Sequence, residues 1–349
     1  MKSYDKLVAN FMEVIQRENN HALFRFCALP YYLQFFEMMR LLYDSGCLDN
    51  HSKITRFARQ LQLNGNYDFA QYLEGVSEII FQYFALRRQM NFDLDKNINE
   101  GNGTDVDIQI HDKDFCYNIE IKTPKFVNDD YDSSILKVNL SHRTMNKDAL
   151  NRQKDFIENE ICDPIINQAS SPFSDIKYTK IEDNKLISFL KSAQKKFVYS
   201  NENCVNILVV AIPSSKMQDY WSYLYNIQSG LFTPNYDDTL IGISKNEFDK
   251  VDTILLTNLL SGHIHPVDKK NSWNLESYCN ILCNNPNSQQ YKIFKSDVER
   301  YEKIRSFIPN SNYEFEELYK KYDQQNPIFM QCIFSDLLAN NFPEQWWND

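Results

Sequence analysis

Asp107, Glu120 and Lys122 are two acids and one base whose spacing lets them act on a single group. They fall in two short stretches, Thr104 to Ile110 and Phe115 to Lys122, that read as strands of one hairpin. Strand side chains alternate faces, so Val106, Ile108 and Ile110 share an apolar face while Asp105, Asp107 and Gln109 share the other. The second stretch divides the same way, with Phe115, Tyr117, Ile119 and Ile121 against Cys116, Asn118, Glu120 and Lys122. Glu120 and Lys122 are two positions apart on one face, so their Cα atoms stand roughly 6.6 Å apart at ~3.3 Å per residue. Acids gathered beside a lysine suit a hard divalent cation and the polarised water it carries.

Two pairings of this hairpin keep its faces matched. A turn at His111, Asp112, Lys113 and Asp114 that sets Ile110 against Phe115 and Val106 against Ile119 puts Asp105 across from Glu120, with Asp107 diagonal to it. A slip of two residues makes Asp107 the direct partner instead, and only a one-residue slip would exchange the faces.

The segments Gly-Thr-Asp-Val-Asp-Ile and Ile-Glu-Ile-Lys resemble the PD-(D/E)XK nuclease superfamily, which has the restriction-endonuclease-like fold. The resemblance covers roughly residues 70 to 213 and implies an α/β core of order αβββαβ, a mixed sheet flanked by helices. It implies Asp107 as the acid of the second strand and Glu120 with Lys122 as the acid-x-lysine motif of the third. Mg²⁺ or Mn²⁺ would be held by Asp107, Glu120 and the carbonyl of Ile121, and Lys122 would orient or help deprotonate the attacking water.

Many members add a glutamate on the first helix. Glu74 and Glu78, one turn apart in Phe69 to Arg88, offer it, with Glu78 preferred because it lies deeper in the apolar part of the helix. Asp105 and Gln194 are further candidates. Some members carry Gln-x-x-x-Tyr on the second helix, whereas here Val198 follows Gln194 at that position and Tyr199 comes one later. A helix from Asn184 to Tyr199, capped by Asp183, and the apolar run Val205 to Ile212 supply the expected downstream helix and buried strand.

Outside that core, residues 1–68 read as a helical N-terminal lobe, with Asp5 to Glu18 and Tyr31 to Tyr43 as its helices, and residues 214–349 as a C-terminal α/β extension. The core, 69–213, carries an insertion at 126–182. Within it Asn146 to Gln168 is expected to be helical with a break at Pro164. The extension is expected to hold an aromatic helix, Met217 to Ile227, an apolar strand, Val251 to Leu256, and further helices ending in Phe342-Pro-Glu-Gln-Trp-Trp.

With 349 residues, 43% of them hydrophobic, the chain can bury a sizeable core. No stretch is apolar enough to span a membrane and the N-terminus is not a signal sequence, so the expected location is the cytoplasm. Eight cysteines are scattered, several of them in apolar stretches that read as buried thiols, with Cys279 and Cys283 lacking a second pair for zinc. His263 and His265 read as part of a polar turn in preference to a metal pair.

A net charge of −10 sits poorly with a nucleic-acid partner, for which phosphate contacts supply most of the affinity. Locally the balance reverses: Lys185 to Lys196 has four lysines and no acid. Arg143, Lys147, Arg152, Lys154, Lys191 and Lys195 are therefore the expected phosphate contacts, with DNA favoured over RNA and a homodimer or partner protein open. Ordinary solvated helix faces explain each segment equally well.

Three functions compete. A metal-dependent nuclease is favoured. A non-catalytic nucleic-acid-binding or assembly protein on an inherited fold is the alternative. A nucleotidyltransferase, suggested by Asp105-Val-Asp107, is weaker because Asn91 to Glu100 offers no Gly-Ser at a helix start.

Overall fold

The computed structural model describes residues 4–99, 101, 103–113, 115–125, 135–139, 147–168, 175–179, 183–225, 230–233, 243–291 and 297–308. Five helices come first: α1 (Tyr4–Arg17), α2 (Ala22–Arg25), α3 (Pro30–Asp44), α4 (His51–Gln60) and α5 (Phe69–Arg87). Strands β1 (Asn91–Asn99), β2 (Thr104–Asp112) and β3 (Phe115–Lys122) follow. Next are β4 (Ile135–Asn139), α6 (Lys147–Ile157), α7 (Asp163–Ile166), β5 (Asp175–Thr179), α8 (Asp183–Lys196) and β6 (Cys204–Ala211). The described chain then forms α9 (Met217–Tyr225), β7 (Thr253–Thr257), α10 (Ser261–Ile264), β8 (Asn280–Asn284) and α11 (Val298–Phe307).

Six strands form one mixed sheet in the order β1-β2-β3-β6-β7-β8. The β1-β2-β3 meander is antiparallel, β6 and β7 run parallel to β3, and β8 closes antiparallel to β7. Every residue of β6 is buried, as a nearly unbroken apolar strand between two parallel neighbours must be. The C-terminal region thus supplies two of the six strands, β7 and β8.

Apolar side chains cover both faces of the sheet. One cluster unites Phe11, Phe35 and Phe57 of the N-terminal helices with Ile79 and Phe81 of α5, Ile119 of β3 and Phe307 of α11. The other packs Leu186, Leu190 and Phe197 around α8 against Leu208, Val210 and Leu256. Residues 1–68 therefore share their core with α5 and the sheet. Gly75 makes that contact intimate: a Cβ there would lie 1.9 Å from the Gln60 carbonyl oxygen, so only glycine lets α4 end against α5.

The hairpin adopts the second of the two pairings. Ile108 pairs with Ile119 and Asp112 with Phe115, which places Asp107 in line with Glu120 and leaves Asp105 one position further out. Lys113, at φ +55°, begins the tight connection. Gln109 donates to Asn118 at 2.6 Å and Asn118 donates to Asn206 at 2.9 Å, a polar row across β2, β3 and β6, buried at its two asparagines, that pins this register.

Several other expectations need correction. The insertion contains strands as well as a helix: β4 and β5 form a separate parallel pair. As expected, its helix is interrupted near Pro164, which lacks the N–H to continue the ladder: a π-turn at Glu158–Cys162 precedes it. Helix α8 stops at Lys196, short of Tyr199.

Cys116 and Cys204, register partners on β3 and β6, form a disulfide that their spacing did not announce. Cys283 lies in β8, not on a helix, and both it and Cys279 are buried. His263 is fully buried with Nδ1 hydrogen-bonded to Tyr31 Oη at 2.8 Å, whereas His265 is exposed, so the two share no face. Among the described residues, no helix is long and apolar enough to cross a membrane. Residues 342–347, including the terminal tryptophans, lie outside the described residues.

Candidate functional site

The site forms where β2 and β3 part. Their last paired residues are Ile108 and Ile119, and beyond them the Ile121 N–H has no strand acceptor. Asp107 supplies one, its Oδ2 accepting from Ile121 N at 2.7 Å. One carboxylate oxygen is thereby fixed and the other, Oδ1, turns to Lys196 Nζ at 3.4 Å. Lys196 also donates to Glu120 Oε2 at 2.7 Å, so one ammonium bridges both acids.

Glu120 is fully buried. Lys122 Nζ lies 2.6 Å from its Oε1, so each oxygen of this carboxylate faces one ammonium. Burial, and then the charge of Asp107, push the Glu120 carboxyl above the usual carboxylate range, against the opposing pull of Lys122 and Lys196. For Lys196, burial works to lower the ammonium's pKa, but Asp107 and Glu120 outweigh it and the net shift is upward. The cluster is a compensated set of two acids and two lysines.

Helix α5 approaches the same place. Glu74 and Glu78 line a cleft of about 460 Å³ together with Asp107, Ile121, Lys122 and Lys185. Thr123 Oγ1 donates to Ser77 Oγ at 3.2 Å and ties the end of β3 to α5. Burial first, and then the proximity of Asp107, raise the Glu78 carboxyl to about 7, although Gln60 Nε2 donates to its Oε2 at 2.5 Å. At neutral pH Glu78 is poised to hold or release a proton.

No protein-family model, curated protein or solved structure matches this chain.

The structure thus brings Asp107, Glu120, Lys122, Ile121, Glu78 and Glu74 to one cleft edge. Asp105 is exposed and does not line the cleft. Gln194 is engaged elsewhere: it donates to Asp249 Oδ1 at 2.7 Å and accepts from Lys250 N at 2.9 Å, fastening α8 to the segment before β7. Lys191 pairs with Glu247 at 3.0 Å, and Lys195 is exposed at the end of α8. Arg152 is exposed on α6, the side chains of Lys147 and Lys154 are not described, and Arg143 lies outside the described residues.

Lys196 is the residue that sequence reading missed. It stands seven positions after Phe189, two helical turns along the same face, but that Phe189 lines the cleft is visible only in the structure.

As a cation site the donors are hard oxygens, the kind that Mg²⁺ takes. Asp107 and Glu120 are the near pair. Among the described residues, no group of three or more His, Cys, Asp or Glu side chains is gathered closely enough to hold an ion by itself. Carbonyl and water ligands would have to complete the shell, as they commonly do for Mg²⁺.

Proposed function

We propose that this chain is a metal-dependent nuclease of the PD-(D/E)XK superfamily with a restriction-endonuclease-like core, hydrolysing phosphodiester bonds of nucleic acid, DNA in preference to RNA. The single observation that carries the reading is the sharing of the Asp107 and Glu120 carboxylates by one ammonium while Lys122 lies 2.6 Å from Glu120. Apart from the insertion that carries β4, α6, α7 and β5, the order α5, β1, β2, β3, α8, β6 supports it, since the superfamily's order is αβββαβ.

Asp107, Glu120 and the Ile121 carbonyl would hold Mg²⁺ or Mn²⁺, which when bound supplies Lewis acidity toward the phosphoryl oxygens and a water of lowered pKa. Asp107 is held for this by its bond to Ile121 N, which fixes its rotamer at the strand split. Lys122 carries positive charge to the cleft wall, where it can orient the attacking water and offset charge on the phosphate. Glu78, close to neutrality in its proton affinity, can accept the proton that the water loses. Lys196 holds the two carboxylates together and so is a positioning residue.

A non-catalytic binding or assembly role is the second reading, favoured by the lack, among the described residues, of a third acid close enough to complete a cation site. Titration with Mn²⁺ separates the two. A nuclease site binds Mn²⁺ with a dependence on Asp107 and Glu120, so Asp107→Asn should weaken binding at least tenfold. Mn²⁺ binding that is absent, or indifferent to both acids, favours the binding protein.

A further inference from the structure

A second cavity, of about 470 Å³, lies between α3, α4, α5 and β1, in the size range of a small-molecule site. Its wall combines apolar Leu86, Met90 and Phe92 with the amides of Gln60 and Gln82. Lys53 and Arg56 also line it, one turn apart on α4.

Gln82 is the telling residue. It is only 6% exposed, it sits on the buried helix α5, and among the described residues its amide makes no hydrogen bond. Its amide atoms are not sealed in the interior, so its donor and acceptor are open to a ligand. Here it faces the cavity that it lines.

We propose that this cavity binds a nucleotide, its base against Phe92 and Met90 with its edge on the Gln82 amide, and its phosphate toward Lys53 and Arg56. A glutamine amide carries one donor group and one acceptor and matches the paired donor and acceptor of a base edge. A partly exposed aromatic ring offers a stacking surface. Lys53 and Arg56 are each shared with one acid, Asp49 at 3.0 Å and Asp95, so a phosphate would be gripped by compensated cations and bound modestly.

The same cavity touches the candidate site. Gln60 lines it and also donates to Glu78, while the Gln60 backbone is wedged against Gly75. A ligand that engages the Gln60 side chain would therefore compete with its bond to Glu78. This link to cleavage rests on the nuclease reading; the binding site itself does not.

The test measures binding to the full chain by calorimetry without metal, so that its outcome is independent of cleavage. The ligands are adenosine 5′-monophosphate, cytidine 5′-monophosphate, adenosine, ribose 5-phosphate and a single-stranded oligonucleotide, against wild type and Gln82→Leu. Circular dichroism and melting temperature confirm that the variant is folded, and Lys53→Ala, an exposed change, serves as a second variant. A mononucleotide that binds and is weakened at least tenfold by Gln82→Leu supports a free-nucleotide site. A Gln82-dependent response to the oligonucleotide alone supports the same pocket filled by an unpaired base of a strand. Binding by neither, or binding unchanged in both variants, overturns the proposal.

Discussion

At the residue scale the site turns on how two carboxylates are kept together. Lys196 spans Asp107 and Glu120, and Glu120 is fully buried, so its removal leaves a buried acid with Lys122 alone. Breaking one partner of a buried pair is costly, and Lys196→Ala should lose on the order of 1–3 kcal/mol, read as a lower denaturation midpoint. Lys122 is more accessible and contributes less to the fold. Lys122→Ala should abolish cleavage of nucleic acid while moving the melting temperature by only a few degrees, so activity and melting should part company between the two lysine variants.

Glu78 gives a prediction with a sign. Its carboxyl is raised from 4.5 to about 7, mainly by burial, so the folded chain holds this proton more tightly than the unfolded one. The resulting stability is complete below about pH 4.5 and is lost as pH rises through 7. Glu78→Gln removes the ionisation and keeps an oxygen to accept from Gln60. Relative to wild type, it should gain on the order of 3 kcal/mol in stability between pH 4.5 and pH 8, measured by urea denaturation at both. A difference that does not change with pH would show that Glu78 ionises freely.

At the scale of elements, α4 and α5 meet at a contact with no slack. A methyl group at Gly75 would overlap the Gln60 carbonyl, so Gly75→Ala should destabilise the protein by several kcal/mol, on the order of the larger overpacking costs, and its melting temperature would register this. The sequence made some of these elements plain and hid others. Helix α5 and strand β6 were legible because their apolar residues are nearly continuous; the structure adds the cap of α5, Asp68, which accepts from Gln71 N at 2.9 Å.

The hairpin's faces were legible from alternation, but its pairing was not: both registers keep Asp107 and Glu120 on one face, and the choice was made by the tight turn at Lys113 and by the Gln109, Asn118 and Asn206 row. Lys196 was hidden because lysine at a helix end reads as a solvated charge until the strand acids are seen opposite it. Strands β4 and β5 were hidden because five-residue strands in a polar insertion carry too little pattern to stand out.

At the scale of the whole molecule the N-terminal helices belong to the main core. Phe11, Phe35 and Phe57 are buried in the cluster that also holds Ile79 and Ile119. Removing residues 1–68 should therefore leave an unfolded or aggregating chain and not a smaller, active core; a sharp thermal transition in that fragment would contradict this. The central claim, that Asp107, Glu120 and Lys122 form a phosphodiester-cleaving centre, is tested most directly by one incubation series. Labelled single- and double-stranded DNA and RNA are mixed with wild type and with the Glu120→Ala, Lys122→Ala double variant, in Mg²⁺, Mn²⁺ or EDTA. Cleavage by wild type that needs the metal and disappears in the double variant is the predicted result; no cleavage of any of the four substrates with either metal, or cleavage that survives in the double variant, would contradict it.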